Sequence, residues 1–287
     1  NAAGGMAGRT PPEIQVLRPL KDGVIEDFQV VEVLLRHLMM NVFGRRLWVG
    51  PRALICVPYG TTEVERRAIR ESCEAAGARE VYLLDRPIAA AVGAELPVKD
   101  ARGHMVIDMG GGTTDVSVLS LGGIVYNRTI KVGGLHFDQV ITDDLLERNS
   151  VQVGPRTVER LKLALGDVSP RDPGTREFVK GRSSVTGFPV AVEVTSAQVR
   201  AALQEPLKLV VDAVLSSLEH TPPDLATDIA ETGLLLMGGG AHLRGLDRVV
   251  GDATDLPVIV PEDPETTVVL GAGQVLEDPE LLVDLAL

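Results

Sequence analysis

Positive charge is the first thing this chain is short of: 28 lysines and arginines face 40 aspartates and glutamates, for a net charge of −12. Phosphate backbones are bound by clustered cations, so the deficit argues against nucleic acid as a main partner. It also sets the surface against anionic lipid head groups, and any membrane contact would have to be hydrophobic. Cysteine is nearly missing as well, with Cys56 and Cys73 the only two. One falls in an expected strand and one on an expected helix, which reads as buried free thiols in a reducing compartment rather than a disulfide or a metal site. No apolar run approaches the ~20 residues that cross a bilayer, and no basic, apolar, small-residue sequence marks a signal peptide. The expected location is the cytoplasm. What the chain has is bulk: 287 residues, 45% hydrophobic and 24% charged. That is enough for one large or two ordinary domains with a proper core.

The most informative stretch is His104 to Ser120, HMVIDMGGGTTDVSVLS. A run with strand character, Met105 to Ile107, meets Asp108, then three glycines and two threonines, then Asp115 and a second alternating strand from Val116. The pattern predicts a β-hairpin with a glycine-rich turn. Gly110, Gly111 and Gly112 would let the backbone take conformations closed to other residues and aim successive N–H groups at one anion, with Thr113 and Thr114 adding hydroxyls at the rim. Asp108 and Asp115 would hold an accompanying Mg²⁺, directly or through its waters. A phosphate chain suits such a turn; a plain glycine-rich hairpin with acidic ends is the alternative.

Elsewhere the pattern alternates helix and strand. Phe28 to Phe43 carries Val31, Leu34, Leu35, Leu38, Met39 and Val42 at helical spacing, predicting one buried face. In the following loop, Leu47 and Trp48 are large apolar groups with no periodic reason to be there. Arg52 to Val57 reads as a strand, Thr62 and Glu65 as a capping box opening a helix that ends at Gly77, and Glu80 to Leu84 as the next strand, making a βαβ unit. Pro87 opens a small-residue helix, Ile88 to Ala94, and Leu96 to Gly103 reads as a polar linker between two lobes. After the hairpin come a strand, Ile124 to Ile130, and a helix, Phe137 to Arg148. From Val151 a smaller insert follows. Its helix places Glu159 and Lys162 on one face, by themselves a surface ion pair, and Glu177 to Lys180 with Val190 to Val194 predict a hairpin. A long helix, Gln198 to His220, contains Pro206. Gly233 to Met237, a glycine turn at Gly238 to Gly240, a helix from Leu243 to Val250 and Pro257 to Val260 repeat the earlier strand, turn, helix, strand unit. Glu265 to Leu276 closes as a helix, and Pro279 to Leu287 is a tail.

DMGGGTTDVSVLSLGGIV (Asp108 to Val125) resembles the second phosphate-binding loop of the actin, Hsp70 and sugar-kinase superfamily, and within it the MreB/Mbl family of bacterial actins. RPLKDGVIEDF (Arg18 to Phe28), CVPYGTTEVERRAI (Cys56 to Ile69), AAAVGAELPV (Ala89 to Val98) and LLLMGGGAHLRGLDRVV (Leu234 to Val250) stand in that family's order. The resemblance implies an α/β, actin-like ATPase fold of two lobes, each built on a βαβ-containing sheet. Residues 1–98 would form the first lobe with 268–287 returning to it, 99–134 and 199–267 the second-lobe core, and 135–198 an inserted subdomain. ATP with Mg²⁺ would lie in the cleft. Gly110, Gly111, Gly112 and Thr113 would grip its phosphates, Glu159 and Lys162 would lie against the adenosine, and Gly238, Gly239, Gly240 and Ala241 would let it approach the backbone. Asp108 and Asp115 would serve the metal. The resemblance also implies filaments of this chain or with a paralogous actin homologue, a peripheral place at the inner face of the cell membrane with Leu47 and Trp48 dipping into it, and work with the cell-wall synthesis machinery in setting a rod-like shape.

Two departures bear on that picture. The family's first phosphate-binding hairpin would precede Asn1, so the first lobe is expected to be N-terminally incomplete, leaving an edge of the Ala53 to Val57 strand unpaired. And Arg86 stands where the family places a glutamate before the proline of the small-residue helix. Arginine neither takes a proton nor ligates Mg²⁺, though it can neutralise phosphate charge, and Asp85 is one residue out of register. The alternative to an active filament ATPase is therefore a non-hydrolysing scaffold that co-assembles with an intact paralogue. A small-molecule kinase of the same fold is a third reading, for which no aspartate base stands out.

Overall fold

The structure, a computed structural model, describes residues 11, 13, 16, 17, 19–21, 24, 25, 27–44, 50–169 and 174–287. Leu47 and Trp48, the expected membrane contact, lie outside the described residues.

Two short strands, β1 (Leu20–Lys21) and β2 (Val24–Ile25), pair antiparallel. They lead to α1 (Phe28–Phe43), whose first turn is capped by Asp27 accepting from the backbone N–H groups of Gln29 and Val30. The expected buried face of this helix is not formed. None of its residues is buried, and Leu34, Leu38 and Val42 are exposed, Val42 to 74%. Among the described residues the helix leans chiefly on the helix that follows β3, and one such contact covers only part of a stripe.

The predicted βαβ unit is present as β3 (Arg52–Val57), α2 (Glu63–Ala76) and β4 (Glu80–Asp85), with the strands parallel in the register Arg52 to Glu80. Thr62 and Glu65 close a reciprocal capping box, and Gly77 ends the helix at φ 116°. Among the described residues β3 pairs with β4 alone. Next, α3 (Arg86–Gly93) buries Ile88, Ala89, Ala90, Ala91 and Val92.

The centre of the molecule is the predicted hairpin extended into a sheet: β5 (His104–Met109), β6 (Thr114–Ser120) and β7 (Gly123–Ile130) run antiparallel in sequence. Then come α4 (Gly134–Asn149), β8 (Val151–Gln152), α5 (Pro155–Leu165), β9 (Arg176–Ser183), β10 (Pro189–Thr195) and α6 (Ser196–Glu219). Strands β8, β9 and β10 make a small antiparallel sheet, as the insert's hairpin pattern predicted. A helix without a sequence forecast, α7 (Pro223–Thr232), precedes β11 (Leu234–Met237), a 3₁₀ turn at Gly239–His242, α8 (Leu246–Thr254) and β12 (Val258–Ile259). Two helices finish the chain, α9 (Thr267–Glu277) and α10 (Pro279–Leu285), the latter capped by Asp278 where the sequence suggested a tail.

The large sheet has the order β12-β11-β5-β6-β7, with β5, β11 and β12 parallel. Because strand side chains alternate between faces, β5 serves two cores. Met105, Ile107 and Met109 pack with Phe137, Ile141 and Leu145 of α4 and with Leu203 and Val210 of α6, while Val106 packs with α3 and Val275 of α9. Every residue of β5 is buried. Helices α3 and α9 cross at backbone contact: a methyl on Gly93 would stand 1.9 Å from Thr267 O, and one on Gly271 equally close to Ala89 O. The stretch read as a polar linker is tied down, with Val98 buried, Val98 O and Asp100 O accepting from Gly122 and Leu121, and Asp228 accepting from Gly103 N.

Candidate functional site

Strands β5 and β11 are adjacent and parallel, so the loops leaving their C-terminal ends open onto the same edge of the sheet. Both are glycine turns. The first joins Met109 to Thr114, which pair across the hairpin, and is closed by Gly110 N donating to Thr113 O at 2.8 Å. Its conformation differs from the expected one. Among the described residues left-handed backbone occurs at Gly238 (φ 80°) but not at Gly110, Gly111 or Gly112. What holds the turn is contact with the start of α4: Gly110 O accepts from Gly134 N at 3.0 Å and Gly111 O from Leu135 N at 2.7 Å. With the carbonyls turned that way, the N–H groups of Gly111 and Gly112 have no partner among the described residues, and Gly111 is exposed. Thr113 Oγ1 donates to Asp115, whereas Thr114 is not at the rim, since its hydroxyl is buried on Val132 O.

Sequence reasoning missed the residue that permits this docking. Gly133 is extended, and a methyl on it would lie 2.6 Å from Gly110 O and 2.8 Å from Gly111 O. The signal was present in the Gly-Gly pair just ahead of a helix, but nothing local says that the pair abuts a turn some twenty residues earlier.

The second turn sits against the first strand. A methyl on Gly238 would be 2.5 Å from Asp108 Oδ1, and one on Gly240 would be 2.2 Å from Met109 Cγ. Ala241 N donates back to Gly238 O, and Gly238 N to Pro264 O. Arg244, also unforeseen, fixes this turn to the end of α5 by donating from Nε to Gly166 O (3.1 Å) and from Nη2 to Ala164 O (2.6 Å). From α5, Lys162 reaches the same place. Its Nζ pairs with Asp138 at 2.9 Å and donates to Gly134 O at 2.9 Å, beside Gly111. The local ion pair with Glu159 is not formed, because Lys162 is engaged by α4, and Glu159 stays exposed. Gly110, Gly111, Gly112, Thr113, Lys162 and Gly238 through Ala241 therefore meet at one edge, with Glu159 exposed one turn before Lys162 on the same helix.

The acidic pair behaves differently from expectation. Asp108 and Asp115 face each other across the hairpin, as predicted. Asp115 accepts from Thr129 and from Thr113. Asp108, however, is met by Arg86, with Nη2 2.6 Å from Oδ2, in ion-pair contact rather than in hydrogen-bond alignment. Oδ1 has no hydrogen-bond partner. Burial pushes the Asp108 carboxyl above its ordinary range, the Arg86 guanidinium pulls it back, and the neighbouring Asp115 pushes it up further. Among the described residues no group of three or more histidines, cysteines, aspartates or glutamates could hold a metal ion. With a guanidinium already on Asp108, the residues present do not fit Mg²⁺ there. Asp85, next to Arg86, is turned to different company: burial raises its carboxyl and the charge that opposes this is Arg66 on α2. Burial likewise raises the Cys56 and Cys73 thiols to about 11, in keeping with free, protonated cysteines.

The family model described as MreB/Mbl protein matches residues 1–284. The cell shape-determining protein MreB of Escherichia coli (strain K12) is 48% identical over 273 residues, covering 95% of this chain and 79% of that protein. The cell shape-determining protein Mbl of Bacillus subtilis (strain 168) is 40% identical over 277 residues, covering 96% and 83%. The crystal structure of MreB5 of Spiroplasma citri bound to ADP superposes with a TM-score of 0.92 at 32% identity, covering 99% of this chain and 84% of that one. The MamK double helical filament, at 22% identity and a TM-score of 0.78, shares the fold. Motif order, paired glycine turns on a doubled β-α-β frame and these likenesses agree, and the chain belongs to the MreB/Mbl family and has its actin-like fold.

Proposed function

We propose that this chain is a nucleotide-binding cytoskeletal protein that assembles into filaments and acts in setting cell shape, with ATP seated between the Gly110–Thr113 turn and the Gly238–Ala241 turn. The observation that carries the reading is the convergence of these two turns and Lys162 at the C-terminal ends of β5 and β11. Free N–H groups at Gly111 and Gly112 suit phosphate oxygens, Lys162 supplies a cation, and Gly239, exposed and without a side chain, leaves backbone accessible to a flat base and its sugar. Relatives point the same way: MreB5 structures are of ADP- and AMPPNP-bound protein, MamK is seen as a filament, and MreB and Mbl are named as determinants of cell shape. A ligand touching several elements shifts their relative arrangement only as far as it binds one arrangement better than another, and that differential would tune contacts along a filament.

Arg86 favours a form that binds ATP without hydrolysing it, since the group beside Asp108 is a permanent cation that cannot take a proton from water. In that form the chain co-assembles with a paralogue that does turn over ATP. Membrane association through Leu47 and Trp48, at the inner face of the cell membrane beside the wall-synthesis machinery, completes the reading, since tryptophan favours the bilayer interface. The test is an ATP titration by calorimetry with phosphate release measured in parallel, followed by electron microscopy of the ATP-loaded chain alone and mixed with a family member that hydrolyses ATP. Saturable binding with no phosphate release and filaments in either sample is expected. A chain with no affinity for ATP or ADP sinks the proposal.

A further inference from the structure

Arg86 lies where a ligand in this site would meet it. It opens α3 directly after β4, and its Nη2 sits 2.6 Å from Oδ2 of Asp108 on β5. The Asp108 side chain is only 3% exposed, but the arginine keeps 28% of its surface in solvent, so the cation is anchored from behind and open in front. A methyl on Gly110 would stand 3.4 Å from the same Nη2, which puts the guanidinium over the first residue of the phosphate turn. A guanidinium has five N–H donors in a planar fork. Its ion pair with Asp108 uses one side of that fork, and among the described residues no other carboxylate is in ion-pair contact with Arg86. Behind the turn, Asp108 and Asp115 are paired across the hairpin, so without a cation at Asp108 this pair would repel an approaching anion.

We propose that Arg86 is the resident cation at Asp108: anchored there, while Lys162 pairs with Asp138, it takes the charge-neutralising place of a divalent metal, so that nucleotide phosphates bind to this chain without Mg²⁺. The inference rests on the reading of the site as a nucleotide site and deepens it. A metal ion approaching Asp108 would meet a fixed positive charge in contact with the same oxygen, whereas a phosphate would meet open guanidinium donors and the free N–H groups of Gly111 and Gly112.

The test is ATP binding by the full chain at constant ionic strength, in excess EDTA and in Mg²⁺. The dissociation constant is expected to agree between the two within about threefold. Arg86→Gln should weaken binding in EDTA by about tenfold or more, with Mg²⁺ restoring much of it, because one charge-assisted contact is lost and Asp108 is freed. Arg86→Lys keeps the charge and should stay metal-independent. Should Arg86→Gln fail to fold by circular dichroism, the native chain and Arg86→Lys decide the matter alone. Native binding that weakens about tenfold or more when Mg²⁺ is chelated overturns the proposal and leaves the nucleotide reading standing. Absence of binding in both conditions removes both.

Discussion

Gly133→Ala is the perturbation that separates the structure's account of the Gly110–Thr113 turn from the one its glycines suggest. The backbone at Gly133 is extended, with φ −166°, so alanine meets no conformational penalty there and the effect is purely one of space. The added methyl would sit 2.6 Å from Gly110 O and 2.8 Å from Gly111 O, both main-chain atoms that cannot swing aside like a side chain. To make room, the turn must move off the start of α4, stretching the bonds from Gly134 N to Gly110 O and from Leu135 N to Gly111 O. Overpacking costs about 1–3 kcal/mol and two weakened hydrogen bonds about 0.5–1.5 kcal/mol each, so a loss of roughly 2–6 kcal/mol is expected. At about 2–4 °C per kcal/mol for a chain of this size, the melting temperature should fall by roughly 4–24 °C. Gly111→Ala is the comparator: a methyl there has nothing within 4 Å, and its φ is not left-handed, so stability should change by less than about 0.5 kcal/mol. Thermal denaturation followed by circular dichroism, with an ATP titration on each variant, reads both. If Gly133→Ala melts with the native protein while Gly111→Ala collapses, the docking of the turn on α4 is not what holds it.

Three further outcomes follow from named contacts. Burial raises the Asp85 carboxyl above its ordinary value of 3.8, and one of its oxygens lacks a hydrogen-bond partner. A raised acid favours folding below that ordinary value and loses the contribution as pH climbs through the folded-state pKa, so Asp85→Asn should gain stability at pH 7 and none at pH 3, in urea melts at the two pH values. Because burial holds the Cys56 and Cys73 thiols near 11, an aromatic disulfide reagent at pH 8 should label neither in native protein and both in denaturant; rapid native labelling would contradict the packing. Arg244→Ala removes two donors that bind the Gly238 turn to α5, and should weaken ATP binding by about tenfold with the melting temperature lowered by roughly 2–12 °C. Unchanged affinity would mean that α5 does not help to shape the site.

Much of the fold is written in short-range signals. The capping box at Thr62, the period-2 runs on either side of Gly110–Gly112 and the paired strand-turn-helix-strand units are local instructions, and the elements lie close to where those instructions put them. Where local signals conflict, the reading slips. Leu243 to Gly245 has helical composition but serves a 3₁₀ turn and an αL glycine, so α8 begins three residues late. Two adjacent prolines concealed α7, although Pro223 occupies a helix-opening position. The apolar stripe of α1 was read from its period, and period reports which side chains share a face but not whether anything covers it.

The amino-acid order alone thus determined the family, the α/β alternation and the two glycine turns, because those depend on dihedral preferences and on residues a few positions apart. Tertiary structure decided which partners the charged groups took. Lys162 left its helical neighbour Glu159 for Asp138, Arg86 crossed to Asp108, and at the docking of the first turn on α4 it is Gly133 rather than Gly111 that has no room for a side chain. Ion pairs and close approaches form between whatever atoms the folded chain brings within a few ångströms, and separation in space has no fixed relation to separation along the sequence.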